Sequence, residues 1–124
     1  MIDRDIFKLS IVIPCYNEKN TIENILKKID KSLKDYKISK YEIIIVDDFS
    51  NDGTNKILKN LAFDEKIQIH YHDNNLGKGA AIHTALKYIT GDITIIQDAD
   101  LEYDPSDYYK LLLPFFEANA DIVY

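Results

Sequence analysis

The run Tyr41-Glu42-Ile43-Ile44-Ile45-Val46 restricts the fold more than any other stretch of this chain. A strand sends alternate side chains to opposite faces, so the unbroken aliphatic stretch from Ile43 to Val46 puts apolar groups on both. Such a strand is buried from both sides, as in a parallel sheet with helices above and below it. Parallel neighbours cannot be joined by a tight hairpin and need a crossover of roughly a dozen residues or more, usually helical.

The rest of the sequence supplies those strands and crossovers. Leu9 to Pro14 reads as a first strand, ending at a residue with no amide to donate to a ladder. Asn20 followed by Glu23 predicts a helix cap, and Ile22, Ile25, Leu26, Ile29 and Leu33 then recur at helical spacing with lysines between them. Thr54 to Phe63 carries Ile57, Leu58 and Leu61 on one side of a shorter helix, and Ile67 to His72 reads as a strand. Ala80 to Ile89 is an alanine-rich helix and Asp92 to Gln97 another strand. Asp104-Pro105 predicts a cap with proline at the first helical position, leading to a helix with Tyr108, Leu111 and Leu112, and Asp121 to Tyr124 begins a further strand. This alternation predicts an α/β domain with a largely parallel sheet flanked by helices and joined by right-handed crossovers. In such sheets ligands sit beyond the carboxyl ends of the strands, where the polar loops after Pro14, Val46 and Gln97 emerge.

Composition narrows the partners. With 124 residues, the chain suits a single domain. Its net charge of −6 argues against nucleic acid, whose binders carry a basic face, so a phosphorylated ligand needs local help. The lone cysteine, Cys15, excludes an internal disulfide and fits a reducing compartment. No apolar run approaches the roughly 18 residues of a membrane span, and Met1-Ile2-Asp3-Arg4-Asp5 lacks the form of a signal peptide. The expected location is therefore cytoplasmic.

Three loops and one turn carry the candidate chemistry. Asp98-Ala99-Asp100 follows a strand directly, so two carboxylates separated by one small residue can face one point, with Glu102 two residues on. Hard cations such as Mg2+ and Mn2+ take one or two carboxylates and fill their remaining positions with water and substrate phosphates, which makes Asp98, Asp100 and Glu102 the candidate metal ligands. Pro14-Cys15-Tyr16-Asn17-Glu18 offers an aromatic ring, an amide and a carboxylate for a base or ribose, and Asp47 and Asp48 can read donor groups on a base. Each of these has a bland reading as a capping loop or an Asx turn. Lys78, between Gly77 and Gly79 at a helix start, suits a phosphate. His70, His72 and His83 alternate on a strand face or lie on a separate helix, and are read as structural. The nine tyrosines are scattered and form no stacking platform.

Together, Pro14-Cys15-Tyr16-Asn17-Glu18, Val46-Asp47-Asp48-Phe49-Ser50, Asn75-Leu76-Gly77-Lys78-Gly79 and Gln97-Asp98-Ala99-Asp100-Leu101 resemble, in order and spacing, the family 2 glycosyltransferases. Glu102 and Pro105 bring the chain nearest to the dolichyl- and polyprenyl-phosphate sugar synthases. The resemblance implies a GT-A, Rossmann-like fold of which residues 1–124 are the incomplete, donor-binding half of a single catalytic domain. It implies a nucleotide pocket at Pro14, Tyr16, Asn17, Glu18, Val46, Asp47 and Asp48, with Asp48 toward the base. It also implies a metal pair at Asp98 and Asp100 with Ala99 beside the sugar nucleotide. Glu102 stands where that branch often has glutamine.

The activity so implied is metal-dependent, inverting transfer from a GDP- or UDP-sugar to a lipid phosphate or glycan in cell-envelope glycan synthesis. The location would be the cytoplasmic face of a membrane, touched only through later segments or the lipid acceptor. No catalytic base is assigned, since the acceptor side would lie downstream. Two other readings remain: a nucleotide-sugar-binding fragment without transferase activity, and a phosphoacceptor signalling module. The second fits poorly, because a whole strand and helix precede the acid pair. Two expectations follow from these readings. Asp48→Ala should weaken nucleotide binding and leave the fold intact, and the strand beginning at Asp121 should leave an apolar edge prone to self-association.

Overall fold

A computed structural model describes residues 7–62, 64–99, 104–107, 110, 112 and 122–123. Its elements are β1 (Leu9–Cys15), α1 (Ile22–Asp35), β2 (Tyr41–Asp47), α2 (Thr54–Leu61), β3 (Ile67–Tyr71), α3 (Lys78–Leu86), β4 (Ile93–Ile96), a 3-10 turn (Pro105–Asp107) and β5 (Ile122–Val123). The strands form one sheet in the order β3-β2-β1-β4-β5, with every pairing parallel. Ile122 and Val123 face Thr94 and Ile95 of β4, so β5 is paired on one side and stands at an edge of the described sheet.

The strand alternation sorts the core into two layers. Leu9, Ile11 and Ile13 of β1, Ile43 and Ile45 of β2, and Ile93 and Ile95 of β4 face Ile22, Ile25, Ile29 and Leu33 of α1 and Leu58 of α2. Val12, Ile44, Val46 and Ile96 face the other way, against Ala81 and Ala85 of α3. Handedness explains the split. From β1 to β2 to β3 the chain advances in one direction, and right-handed crossovers put α1 and α2 on one face. From β3 to β4 it returns past β2 and β1, so the same handedness puts α3 on the opposite face. The alanines of α3 bring its backbone close to the sheet.

Element ends differ from the sequence expectation by a few residues, each for a local reason. The first helix has Thr21 at its cap position, with no side-chain capping bond, instead of Asn20. The Glu18 carbonyl takes the Thr21 and Ile22 amides, at 3.1 and 2.9 Å, and the Thr21 hydroxyl donates to Glu18 Oε2 at 2.8 Å. Helix α3 begins at Lys78, two residues before the alanine run, because Gly77 is already turned into it. Asp92 and Gln97 flank β4 without joining it, and the Asp92 carboxylate accepts the Lys8 amide at 2.8 Å. Asp104 accepts the Ser106 amide at 2.9 Å, the predicted cap, but over a 3-10 turn. Tyr108 and Leu111 of the predicted last helix lie outside the described residues. Among the described residues no helix is long and apolar enough to cross a membrane.

Gly91 is required by packing. A Cβ there would lie 2.4 Å from Ser10 Oγ, 2.8 Å from the Lys8 carbonyl oxygen and 2.9 Å from the Ser10 nitrogen. Two of these are backbone atoms beside β1, which cannot yield cheaply. Gly91→Ala is expected to destabilise the chain by roughly 1–3 kcal/mol, read as a lowered urea midpoint with an unchanged slope.

Candidate nucleotide-binding site at the carboxyl edge

The loops after β1 and β2 are laced together. The Asp48 amide donates to the Cys15 carbonyl at 2.8 Å, Asn17 N to Ser50 Oγ at 2.8 Å, Asn51 N to Asn17 Oδ1 at 2.9 Å and Glu18 N to Thr54 Oγ1 at 3.0 Å. Asn17 adopts the left-handed φ of 52°, which asparagine tolerates better than most residues. The two neighbouring aspartates then do different work. Asp47 turns into its own loop and takes the Ser50 hydroxyl at 2.5 Å and the Ser50 amide at 3.2 Å. Asp48 reaches across to the next turn, where Oδ1 accepts the Leu76 amide and Oδ2 the Gly77 amide, both at 2.8 Å.

Between these loops and α3 lies a cavity of about 310 Å³. The β1 loop contributes Pro14, Cys15, Tyr16 and Glu18, and the β2 loop contributes Asp48. The turn into α3 adds Asn75, Gly77, Lys78 and, one helical turn on, Ala81, while the β4 end adds Asp98 and Ala99. Of the residues singled out in the sequence, Pro14, Tyr16, Glu18, Asp48, Lys78, Asp98 and Ala99 thus meet at one place. Asn17, Val46 and Asp47 do not line it. Asn17 and Asp47 shape the loops, and Val46 packs beneath α3. Asp100 and Glu102 lie outside the described residues.

Asp98 Oδ1 holds the Lys78 ammonium at 2.5 Å. The carboxylate, with a side chain about one-quarter exposed, is therefore a hard oxygen donor facing the cavity and already balancing a positive charge. That chemistry suits Mg2+ or Mn2+, which need few protein carboxylates. Among the described residues no three ligating side chains cluster.

In the sequence His72 read only as structural and Asn75 only as part of the turn before Lys78, yet Asn75 lines the cavity and His72 holds Asp48. His72 follows β3 directly, and its Nδ1 lies 2.8 Å from Asp48 Oδ1 while its Nε2 lies 2.8 Å from Thr84 Oγ1 of α3. The parallel register setting Asp47 against Tyr71 would have placed His72 opposite Asp48, but register is a tertiary property. Cys15 is buried, and burial pushes its thiol up to about 12, with Asp47, Glu18 and Asp52 adding to the rise.

The described sheet is wholly parallel and its strand order reverses at β1, with acidic and glycine-bearing loops around the crevice there, which is where α/β domains of this class place a ligand. The chain belongs to glycosyltransferase family 2, since the model of the family described as Glycosyl transferase family 2 matches residues 10–124. It is 31% identical over 105 residues to a dolichol-phosphate mannosyltransferase of Pyrococcus furiosus, covering 85% of this chain and 29% of that one. It is 35% identical over 118 residues to the undecaprenyl-phosphate 4-deoxy-4-formamido-L-arabinose transferase of Proteus mirabilis, covering 94% and 36%. Among solved structures it resembles the mannosyltransferase PcManGT of Pyrobaculum calidifontis in complex with GDP-Man and Mn2+, with a TM-score of 0.66 and 34% identity over 74% of this chain and 27% of that one. It also resembles the glucosyl-3-phosphoglycerate synthase of Mycobacterium tuberculosis with Mn2+, UDP and phosphoglyceric acid, with a TM-score of 0.71 and 25% identity over 94% and 41%. The fold is therefore of the GT-A type. The chain spans about a third of the length of the curated relatives it matches.

The geometry corrects one expectation about Asp48. A buried carboxylate holding two backbone amides and an imidazole cannot be removed without cost to the fold. Burial raises its pKa, and the bonds from His72, Leu76 and Gly77 more than offset that, leaving it below the usual carboxylate value. A group lowered in this way stabilises the fold above its unfolded pKa, and that contribution is lost as pH falls through the folded one. Asp48→Ala should cost on the order of 2–3 kcal/mol at neutral pH, by denaturant titration. The variant's stability should also fall less than the parent's on acidification below about pH 4. The native Cys15 thiol should resist alkylation at pH 8 and react fully in denaturant, followed by mass spectrometry.

Proposed function

We propose that these residues form the donor-binding half of an inverting glycosyltransferase that takes a sugar from a nucleoside diphosphate and passes it to a lipid phosphate at the cytoplasmic face of a membrane. The observation that carries this reading is the cavity joining Tyr16, Asp48, Lys78 and Asp98 at the reversal of the sheet. Tyr16 and Asp48 offer an aromatic ring and a carboxylate suited to a nucleoside, and Lys78 and Asp98 a lysine and a carboxylate suited to a diphosphate and its cation.

In this reading Tyr16 and Pro14 wall the nucleoside, Asp48 accepts a base N–H, and Lys78 at the start of α3 turns from Asp98 to the phosphates. Asp98, with Asp100 and Glu102, would hold a divalent cation, which neutralises the charge that develops on the departing diphosphate. PcManGT with GDP-Man and Mn2+ supports the metal, and Mg2+ would serve the same ligands. A lipid phosphate supplies an oxygen already anionic near neutral pH. Positioning it opposite the leaving group is then enough for displacement with inversion, and the chain needs no base of its own. The names of the Pyrococcus and Proteus relatives support a lipid-phosphate acceptor.

Calorimetric titration with nucleoside diphosphates tests the donor half. Binding should require Mg2+ or Mn2+ and vanish with chelator, and equal affinity in both conditions would exclude the metal. Transfer from nucleotide sugars to a polyprenyl phosphate, assayed with the chain extended to the length of its relatives, tests the rest. Turnover with a saccharide hydroxyl but not with the lipid phosphate would replace the acceptor and keep the class.

A further inference from the structure

The hydrogen bonds around Asp48 fix how many acceptor sites its carboxylate has left. An ionised carboxylate offers about four lone-pair sites, two on each oxygen. Oδ1 is occupied twice, by His72 Nδ1 and the Leu76 amide, each at 2.8 Å, and Oδ2 once, by the Gly77 amide at 2.8 Å. One site, on Oδ2, remains for the cavity that Asp48 lines.

His72 is what closes Oδ1. Its ring is buried, and facing a carboxylate it must carry hydrogen on Nδ1. In the neutral ring Nε2 then accepts from the Thr84 hydroxyl, 2.8 Å away, which fixes the ring's orientation from α3. The Asp48–His72–Thr84 linkage has the connectivity of a nucleophile triad. Thr84 and His72, however, are not among the described residues lining the cavity, so the linkage orients Asp48 and activates no nucleophile.

Bases differ in what they ask of such a carboxylate. Guanine presents two adjacent donors, N1–H and N2–H, and a carboxylate pairs with both only if each oxygen has a free site. Uracil presents one, N3–H, between two carbonyls, and the Asn75 side chain on the same cavity has an N–H for a carbonyl. We propose that His72, by occupying Asp48 Oδ1, is a specificity-determining positioning residue that sets this pocket for a uridine over a guanosine diphosphate donor. The inference rests on the donor-binding reading above and goes beyond it. The related structures include both a GDP-Man and a UDP complex and leave the base open.

The test is calorimetry with UDP, GDP and IDP in the presence of Mn2+. IDP has the size of GDP but a single donor on that edge, so it separates donor count from ring size. The wild-type chain should bind UDP roughly tenfold or more tighter than GDP, with IDP well tighter than GDP, because an unpaired donor in a buried site costs a factor of that order. His72→Asn, which can keep a donor near Nδ1, should retain the preference. His72→Leu, which frees Oδ1, should narrow it several-fold.

GDP binding as tightly as UDP in the wild type, or IDP no better than GDP, would overturn the proposal while leaving the donor-binding reading intact. An equal loss for both nucleotides in His72→Leu, with the ratio unchanged, would make His72 merely structural and also overturn it. Failure of all three nucleotides to bind with Mn2+ would instead bring down the donor-binding reading itself. If His72→Leu does not fold, the wild-type ratios and His72→Asn decide.

Discussion

β1 lies between β2 and β4, and every strand in the described sheet runs parallel to it. The chain therefore leaves β1 toward one edge of the sheet and must later come back across it to lay down β4 on the other side. A parallel sheet with right-handed crossovers cannot make that return on the same face, so α3 is forced to the side opposite α1 and α2. The loops after β1 and β4 are thereby driven apart at their carboxyl ends, and a crevice opens between them without any residue being spent on making it. The cavity of about 310 Å³ sits there, with Ala81 on its helical wall.

The adjacent acids Asp47 and Asp48 show how a single step along a strand end sends two carboxylates to different partners. Successive residues point to opposite faces, so one carboxylate folds back onto Ser50 and the other crosses toward α3. Asp48 therefore both ties the turn into α3 and lines the cavity. By drawing the Leu76 and Gly77 amides together it holds the turn from which α3 and Lys78 start. Phe49, between them and Ser50, is an exposed aromatic residue at a left-handed φ of 63°, a backbone state uncommon for bulky side chains. The short bond between Asp47 and the Ser50 hydroxyl holds that turn.

Much was legible in the amino-acid sequence because it depends on near neighbours along the chain. The unbroken run from Ile43 to Val46 required a parallel, two-sided sheet, the isoleucines of α1 required an amphipathic helix, and acids or glycines at strand ends marked one functional edge. Pro14, Tyr16, Glu18, Asp48, Lys78, Asp98 and Ala99 could be named as a group because motifs at the carboxyl ends of parallel strands must share that edge. Strand order, the side taken by α3 and the division of labour between Asp47 and Asp48 depend on register and handedness, which act between segments distant in sequence. His72 and Thr84 came to stand behind Asp48 only when register set Asp47 against Tyr71 and packing laid α3 over Val46. A hydrogen bond to one chosen oxygen is decided by distances of tenths of an ångström, and only the assembled fold fixes those.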